Sequence, residues 1–295
     1  MKTKVLITGC EGNLGWLLYK KLKKYFNVIP TKKSNINSFV NCKNFKILDI
    51  TNREDVKLVI NESNPNIIIN CAAITNVDYC EENHNLAYNV NVIGLANLLK
   101  AADKNVKIIQ FSTDYVFSGK EGNYKETDPT YPISYYGKTK LESENFLRGS
   151  LNEYVIIRAS VMYGNTISLD KNFFGWVFNS LKERKTINVV TDQISNPSYI
   201  PQLCDLVFKL ILLNRTGIFH FGSEDSMTRF DFANAIADIF DLDKRFINPV
   251  DTKSIALKAR RPVDSSLNTG KISDELNFNI LRTKDLLELL YLEIN

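Results

Sequence analysis

The 295-residue chain has only two histidines, His84 and His220, and five cysteines, at positions 10, 42, 71, 80 and 204, with no C-x-x-C pair. Ligands at zinc-binding spacings cannot be assembled from that set, so metal-assisted hydrolysis and Cys–His catalysis are not expected. An odd and irregularly spaced cysteine set reads as reduced, mostly buried thiols. No stretch approaches the ~18 consecutive apolar residues of a membrane span. Met1-Lys2-Thr3-Lys4 runs straight into Val5-Leu6-Ile7-Thr8, without a long apolar segment and a small-residue cleavage site. A cytoplasmic protein is expected, with no metal and no membrane contact. An excess of one charge is missing too. The net charge is +4 and the lysines are scattered, so nucleic acid is not an expected partner.

Apolar residues at 44% and charged residues at 24% suffice for a buried core. Short apolar runs alternate with amphipathic ones through the first half. Strands are expected at Lys4–Thr8, Val28-Ile29, Phe45–Leu48, Ile67–Asn70, Val106–Phe111 and Tyr154–Arg158. Helices are expected at Leu14–Lys24, Arg53–Asn61, Asn85–Ala102 and Tyr135–Arg148. That alternation predicts βαβ crossovers and a doubly wound parallel α/β sheet of the Rossmann type. After about Tyr163 the rhythm changes to helices at Phe173–Glu183, Pro201–Leu213 and Arg229–Phe240, with one short strand near Ile218–Phe221. The expected division is a nucleotide-binding domain over 1–162, completed by parts of about 186–214. A smaller C-terminal α/β substrate subdomain, mainly 163–295, would leave a cleft between them.

Gly9, Gly12 and Gly15 fall where the first strand turns into the first helix. Gly9 allows a tight turn, Gly12 lets a pyrophosphate approach the backbone, and Gly15 permits close helix–strand packing at a helix N-terminus suited to phosphate. The spacing is G-x-x-G-x-x-G, an approximation to the usual G-x-G-x-x-G. Asp49, at the end of the third strand, could accept from an adenine amine, and Ala72-Ala73 could let a flat ligand lie on the backbone. The second strand runs into Thr31-Lys32-Lys33 with no acid. Two ammonium groups there would suit the 2′-phosphate of NADPH, where an acid would select NADH.

Tyr136 and Lys140 are four apart and share one helix face. Tyr19 and Lys23 have the same spacing, so context decides. Tyr136 follows a helix-start signal at Pro132 and Ser134, soon after Ser112-Thr113-Asp114-Tyr115-Val116-Phe117. Carbonyl reduction by hydride needs a proton donor for the oxygen. A tyrosine with a pKa near ~10 holds its proton but releases it slowly unless a cation stabilises the phenolate. Lys140 supplies that cation, and Thr113 could polarise the same oxygen.

These residues resemble the extended short-chain dehydrogenase/reductases and, within them, the dTDP-4-dehydrorhamnose reductases. The resemblance spans nearly the whole chain, from the glycine turn through Asn70–Thr75, Asn91, Ser112–Gly119, Tyr136–Lys140, Asp192-Gln193 and Asn196-Pro197-Ser198. It closes with Arg261-Pro262, Ser265 and Lys271. It implies an NADPH-dependent reductase of a nucleotide-linked 4-keto-deoxysugar, with NADH as the other cofactor, a polysaccharide-building role and a homodimer as a compatible assembly. Thr113, Tyr136 and Lys140 would be the catalytic trio. Gly9, Gly12, Asn13, Leu14, Lys32, Lys33, Asp49, Ile50, Ala72, Ala73, Tyr136 and Lys140 would hold the cofactor. Thr113, Asp114, Tyr115, Val161 and Arg261 would meet the substrate. Val161 stands where these reductases usually carry a tryptophan, and no Glu follows Asp114 as it does in the related dehydratases. A nucleotide-sugar epimerase is one alternative. A non-catalytic NADP-binding subunit, like that of methionine adenosyltransferase, is the other.

Overall fold

The computed structural model describes residues 2–34, 45–164 and 172–294, so Cys42 lies outside the described residues. The chain begins with β1 (Lys4–Thr8), α1 (Asn13–Leu22), β2 (Asn27–Lys32), β3 (Lys46–Ile47), α2 (Arg53–Ser63) and β4 (Ile67–Asn70). Val5-Leu6-Ile7 and Ile67-Ile68-Ile69 are buried along their whole length, as strands covered by helices on both faces require. On α2, Val56, Val59 and Ile60 face inward, and the Asn52 side chain caps the first turn by accepting from the Glu54 and Asp55 amides.

The next helical stretch is less regular than one helix over Asn85–Ala102. It comprises α3 (Val77–Glu82), α4 (His84–Tyr88), a π-helical turn at Asn89–Ile93 and α5 (Gly94–Ala101). The widened turn carries Asn91. Its amide accepts from the Ile74 N–H at 2.8 Å and donates to the Ile74 carbonyl and to Thr139 Oγ1, both at 3.0 Å. A regular helical pattern in the sequence does not reveal such a bulge, which serves a side-chain contact.

Then follow β5 (Lys107–Thr113), α6 (Tyr135–Arg148), β6 (Tyr154–Ala159), β7 (Met162–Tyr163), α7 (Phe173–Lys182), β8 (Ile187–Val190), β9 (Ile194–Ser195), β10 (Ser198–Tyr199) and α8 (Ile200–Leu212). The chain ends with β11 (Gly217–Phe221), β12 (Met227–Thr228), α9 (Arg229–Ile239), β13 (Ile247–Val250), α10 (Gly270–Leu276) and α11 (Thr283–Ile294). The main sheet has seven strands in the order β3-β2-β1-β4-β5-β6-β11. Every neighbouring pair is parallel. Strand order reverses between β1 and β4, so a crevice opens at the carboxyl ends of these two strands.

One C-terminal segment leaves the place expected of it. The strand near Ile218–Phe221 joins the main sheet, with Gly217–Phe221 beside Val155–Ala159. Phe219 and Phe221 need the core that α8 and the sheet enclose, and Leu203, Leu206 and Val207 of α8 share it. Within the span of about 186–214, α8 therefore packs with the first domain. By contrast β8 pairs with β13 in the C-terminal part, where Ile187 and Val189 join a second core around Phe174, Phe232 and Leu287.

A buried ion pair fixes α6 on β6. Arg158 Nε donates to Glu144 Oε1 at 3.0 Å and its terminal nitrogen to Oε2 at 2.7 Å, with 2% and 0% of the two side chains exposed. Removing one partner strands a charge without water, a loss worth about 3–5 kcal/mol. Arg158→Met should lower the stability read from urea unfolding by that amount. A change below about 1 kcal/mol would show that the pair behaves like a surface one.

Candidate active site

The crevice at the strand reversal is a cleft of about 510 Å³, within the range of small-molecule and cofactor sites. Its floor is the turn from β1 into α1. Gly9 sits at φ +65°, and a Cβ there would meet the Ala72 amide nitrogen at 2.9 Å. A Cβ on Gly15 would lie 2.4 Å from the Gly9 carbonyl oxygen, so α1 can lie this close to the turn only without a side chain. No side chain caps α1 at Gly12, which leaves its positive end for an external anion. Asn13, Leu14 and Ala73 line the same floor. A tight glycine turn, an open helix start and small residues at the end of β4 fit a dinucleotide laid across the crevice.

The opposite wall carries the chemical groups. Ser134 caps α6, its hydroxyl accepting from the Gly137 amide at 3.2 Å. A Cβ on Gly137 would meet the Tyr115 carbonyl oxygen at 2.2 Å, so glycine lets α6 approach the end of β5. Tyr136 and Lys140 reach the cleft from α6, and Thr113, Asp114 and Tyr115 from the end of β5. The Tyr115 and Tyr136 rings meet edge to face, 6.2 Å apart. Thr113 Oγ1 donates to Asp114 Oδ1 at 3.0 Å and accepts from the Tyr115 amide at 3.2 Å. Ser265, from the C-terminal loop, donates to Asp114 Oδ2 at 2.5 Å.

Burial sets the protonation of this wall. Tyr136 is 8% exposed and Lys140 3%. Loss of water pushes the Tyr136 phenol up, against the neighbouring Thr113 hydroxyl. Tyr136 therefore rests protonated. Burial brings the Lys140 ammonium down to about 8, opposed by the Glu144 carboxylate one helical turn further on. Burial likewise raises Asp114, with the Ser265 hydrogen bond opposing.

Of the residues singled out from the sequence, Gly9, Gly12, Asn13, Leu14, Ala73, Thr113, Asp114, Tyr115, Tyr136, Lys140 and Val161 line this one cleft. Others lie beside it with partners of their own. Lys33 Nζ is 3.4 Å from Asp49 Oδ2, and Lys32 lies over the Phe45 ring at 5.6 Å. Asp49 Oδ1 accepts from the Thr51 amide and hydroxyl at 2.9 and 2.7 Å. Burial pulls that carboxyl upward, but these bonds and the Lys33 charge hold it below its ordinary value. Ile50 is buried against Gly94, and the Ala72 amide donates to Thr8 Oγ1 at 3.2 Å. Arg261 is ion-paired with Asp78 at 2.9 Å and donates to the Ala259 carbonyl at 3.0 Å.

Arg229, Phe173 and Asn172 also line the cleft, and the sequence reading gave none of them a site role. The Arg229 guanidinium lies over the Phe173 ring at 5.2 Å. One local signal was legible, a cation in the first turn of a helix, where the dipole disfavours it. Val161 lines the cleft at φ +21°, a strained conformation for a β-branched residue. Among the described residues no group of three His, Cys, Asp or Glu could hold a metal ion, and no helix is long and apolar enough to cross a membrane.

Comparison with known proteins agrees with this architecture. A dTDP-4-dehydrorhamnose reductase of Aggregatibacter actinomycetemcomitans is 36% identical over 282 residues, covering 91% of this chain and 92% of its own. The crystal structure of a dTDP-4-dehydrorhamnose reductase from Bacillus anthracis in complex with NADP superposes with a TM-score of 0.89 at 33% identity, over 99% of this chain and 100% of that one. The β subunit of methionine adenosyltransferase 2 from Xenopus laevis is 28% identical over 91% of this chain and 81% of its own. The family model described as the RmlD substrate binding domain matches residues 3–293, and with the seven-stranded Rossmann sheet and its Tyr136–Lys140 wall in view, the chain belongs to that family.

Proposed function

We propose that the chain is an NADPH-dependent reductase of a nucleotide-linked 4-keto-deoxysugar, with Tyr136 as the proton donor. The observation that carries this reading is the convergence of Thr113, Tyr136 and Lys140 on one wall of a cleft whose floor is the glycine turn. The cofactor, when bound, supplies the hydride that goes to the carbonyl carbon. Tyr136 then gives its Oη proton to the carbonyl oxygen, so C=O becomes CH–OH and the phenol becomes a phenolate. Lys140 stabilises that phenolate while its amine is protonated. Thr113, turned from Asp114 towards the carbonyl, polarises it as charge develops. Burial keeps water from competing for either group. The relatives named above support the substrate class. Incubation with NADPH and a panel of nucleotide 4-keto sugars, with product identification, tests it: stoichiometric NADPH oxidation marks a reductase, redox-neutral turnover an epimerase, and no turnover a regulatory subunit.

Three outcomes are expected. Tyr136→Phe should keep cofactor affinity and lose activity by about 10²–10⁴-fold, the usual worth of a general acid; a variant within a factor of two of the parent removes Tyr136 from the reaction. The parent should prefer NADPH, because β2 ends in Thr31-Lys32 followed by Lys33, without an acid to repel a 2′-phosphate. Changing Lys32 and Lys33 to Ala should shrink the ratio of kcat/KM for NADPH over NADH, and equal use of both cofactors by the parent would rule the preference out. Val161 offers neither the flat face nor the N–H donor of a tryptophan. The proposed substrate is therefore a bulkier or differently substituted sugar than dTDP-4-dehydrorhamnose. Val161→Trp should raise kcat/KM for dTDP-4-dehydrorhamnose relative to the native sugar, and efficient turnover of that compound by the parent would refute the idea.

A further inference from the structure

Resting on the nucleotide-sugar reading, we infer that Arg229 takes the diphosphate of the substrate, with Asn172 as a second donor on the same wall. Both residues line the cleft. Arg261, the cation that the family resemblance suggests for the diphosphate, is held by Asp78 and by the Ala259 carbonyl. Arg229 makes no ion pair within 4.0 Å among the described residues.

The backbone fixes where this guanidinium starts. The Arg229 amide donates to the Gln193 carbonyl at 3.0 Å, next to the Ile194–Ser195 pairing with Met227–Thr228. Arg229 opens α9, whose dipole repels a cation at that end, so helix stability does not account for an arginine there. Phe173 supports the guanidinium face at 5.2 Å and itself stacks on Phe232 of the second core, centroids 5.6 Å apart. Face-on support of this kind leaves N–H groups at the edge of the fork, beside the Tyr115 hydroxyl, for an oxyanion.

Asn172 adds an independent observation. Its Oδ1 caps α7 by accepting from the Gly175 amide at 2.9 Å, while its Nδ2 is buried with no hydrogen-bond partner among the described residues. A buried amide donor without a partner is costly unless a ligand completes it. The Arg229 guanidinium also meets the Tyr115 hydroxyl and its charge is felt by Asp114, which puts it at the reacting end of the cleft. An anion bound there holds the attached sugar near Thr113 and Tyr136.

The test is calorimetric titration of dTDP and of UDP into the NADP⁺-saturated protein, for the parent, Arg229→Gln, Arg229→Lys and Arg261→Gln. Arg229→Gln should weaken nucleoside diphosphate binding on the order of 10- to 100-fold, the worth of a charge-assisted hydrogen bond. It should flatten the salt dependence of Kd and leave NADP⁺ affinity and Tm unchanged. Arg229→Lys should recover part of the loss, and Arg261→Gln should cost less than Arg229→Gln. Parent-like diphosphate binding by Arg229→Gln overturns the assignment while leaving the nucleotide-sugar reading intact. A larger loss in Arg261→Gln than in Arg229→Gln also overturns it. If the parent binds neither diphosphate, both the assignment and the nucleotide-sugar reading fall together.

Discussion

Helix α6 turns a column of polar side chains into a place without water, and much of the fold serves to satisfy them. Tyr136, Thr139, Lys140, Ser143 and Glu144 are all buried on its inner face. A buried charge is tolerable only with partners. Arg158 provides them for Glu144 with two hydrogen bonds, and its remaining nitrogen lies 3.3 Å from His220 Nε2. Burial and the Arg158 charge bring His220 down to about 3, so the ring is neutral. Its geometry then requires Nδ1–H to donate to the Tyr124 carbonyl at 2.9 Å and Nε2 to accept from Arg158. The chain of contacts runs from α6 through β6 and β11 to the loop after β5. Asn91 locks the other side through Thr139 and both backbone groups of Ile74. The angle at which Tyr136 and Lys140 enter the cleft follows from these anchors.

This dependence explains what could be read from the sequence. Elements that their own residues define stood out: Ile67–Asn70 and Tyr135–Arg148 were legible to the residue, because a continuous apolar run and a capped amphipathic run need no knowledge of their neighbours. β11 was legible as a strand but not in its place. Its neighbour β6 lies about 60 residues away, and nothing in the pattern of Gly217–Phe221 names a partner. The β8–β13 pairing has the same cause. The π-helical turn at Asn89–Ile93 is invisible to a 3.6-residue period.

The candidate site divides along the same line. The glycine turn and the Tyr136–Lys140 face are short-range features with fixed spacing, and each sits where its spacing implies. Lys33 and Asp49 were read separately, one as a phosphate ligand and one as an adenine ligand. The structure brings them within 3.4 Å of one another, a pairing that only the β2–β3 register could show. Arg229 and Asn172 belong to loops and helix starts that reach the cleft through tertiary packing, so no window of sequence contains their role.

The two halves thus contribute different physics to one cleft. The N-terminal half supplies backbone closeness, as at Gly9 against Ala72 and Gly137 against Tyr115, where a single added carbon would collide with main chain. Such contacts tolerate no substitution without moving a strand or a helix, which ties the chemistry to the fold itself. The C-terminal half supplies side chains on loops and helix starts, Val161, Asn172 and Arg229, supported by the second core at Phe173 and Phe232. These side chains can change without disturbing the seven-stranded sheet. Changes at Val161, Asn172 or Arg229 would therefore reshape one wall of the cleft while the glycine turn and the Tyr136–Lys140 face stay in place.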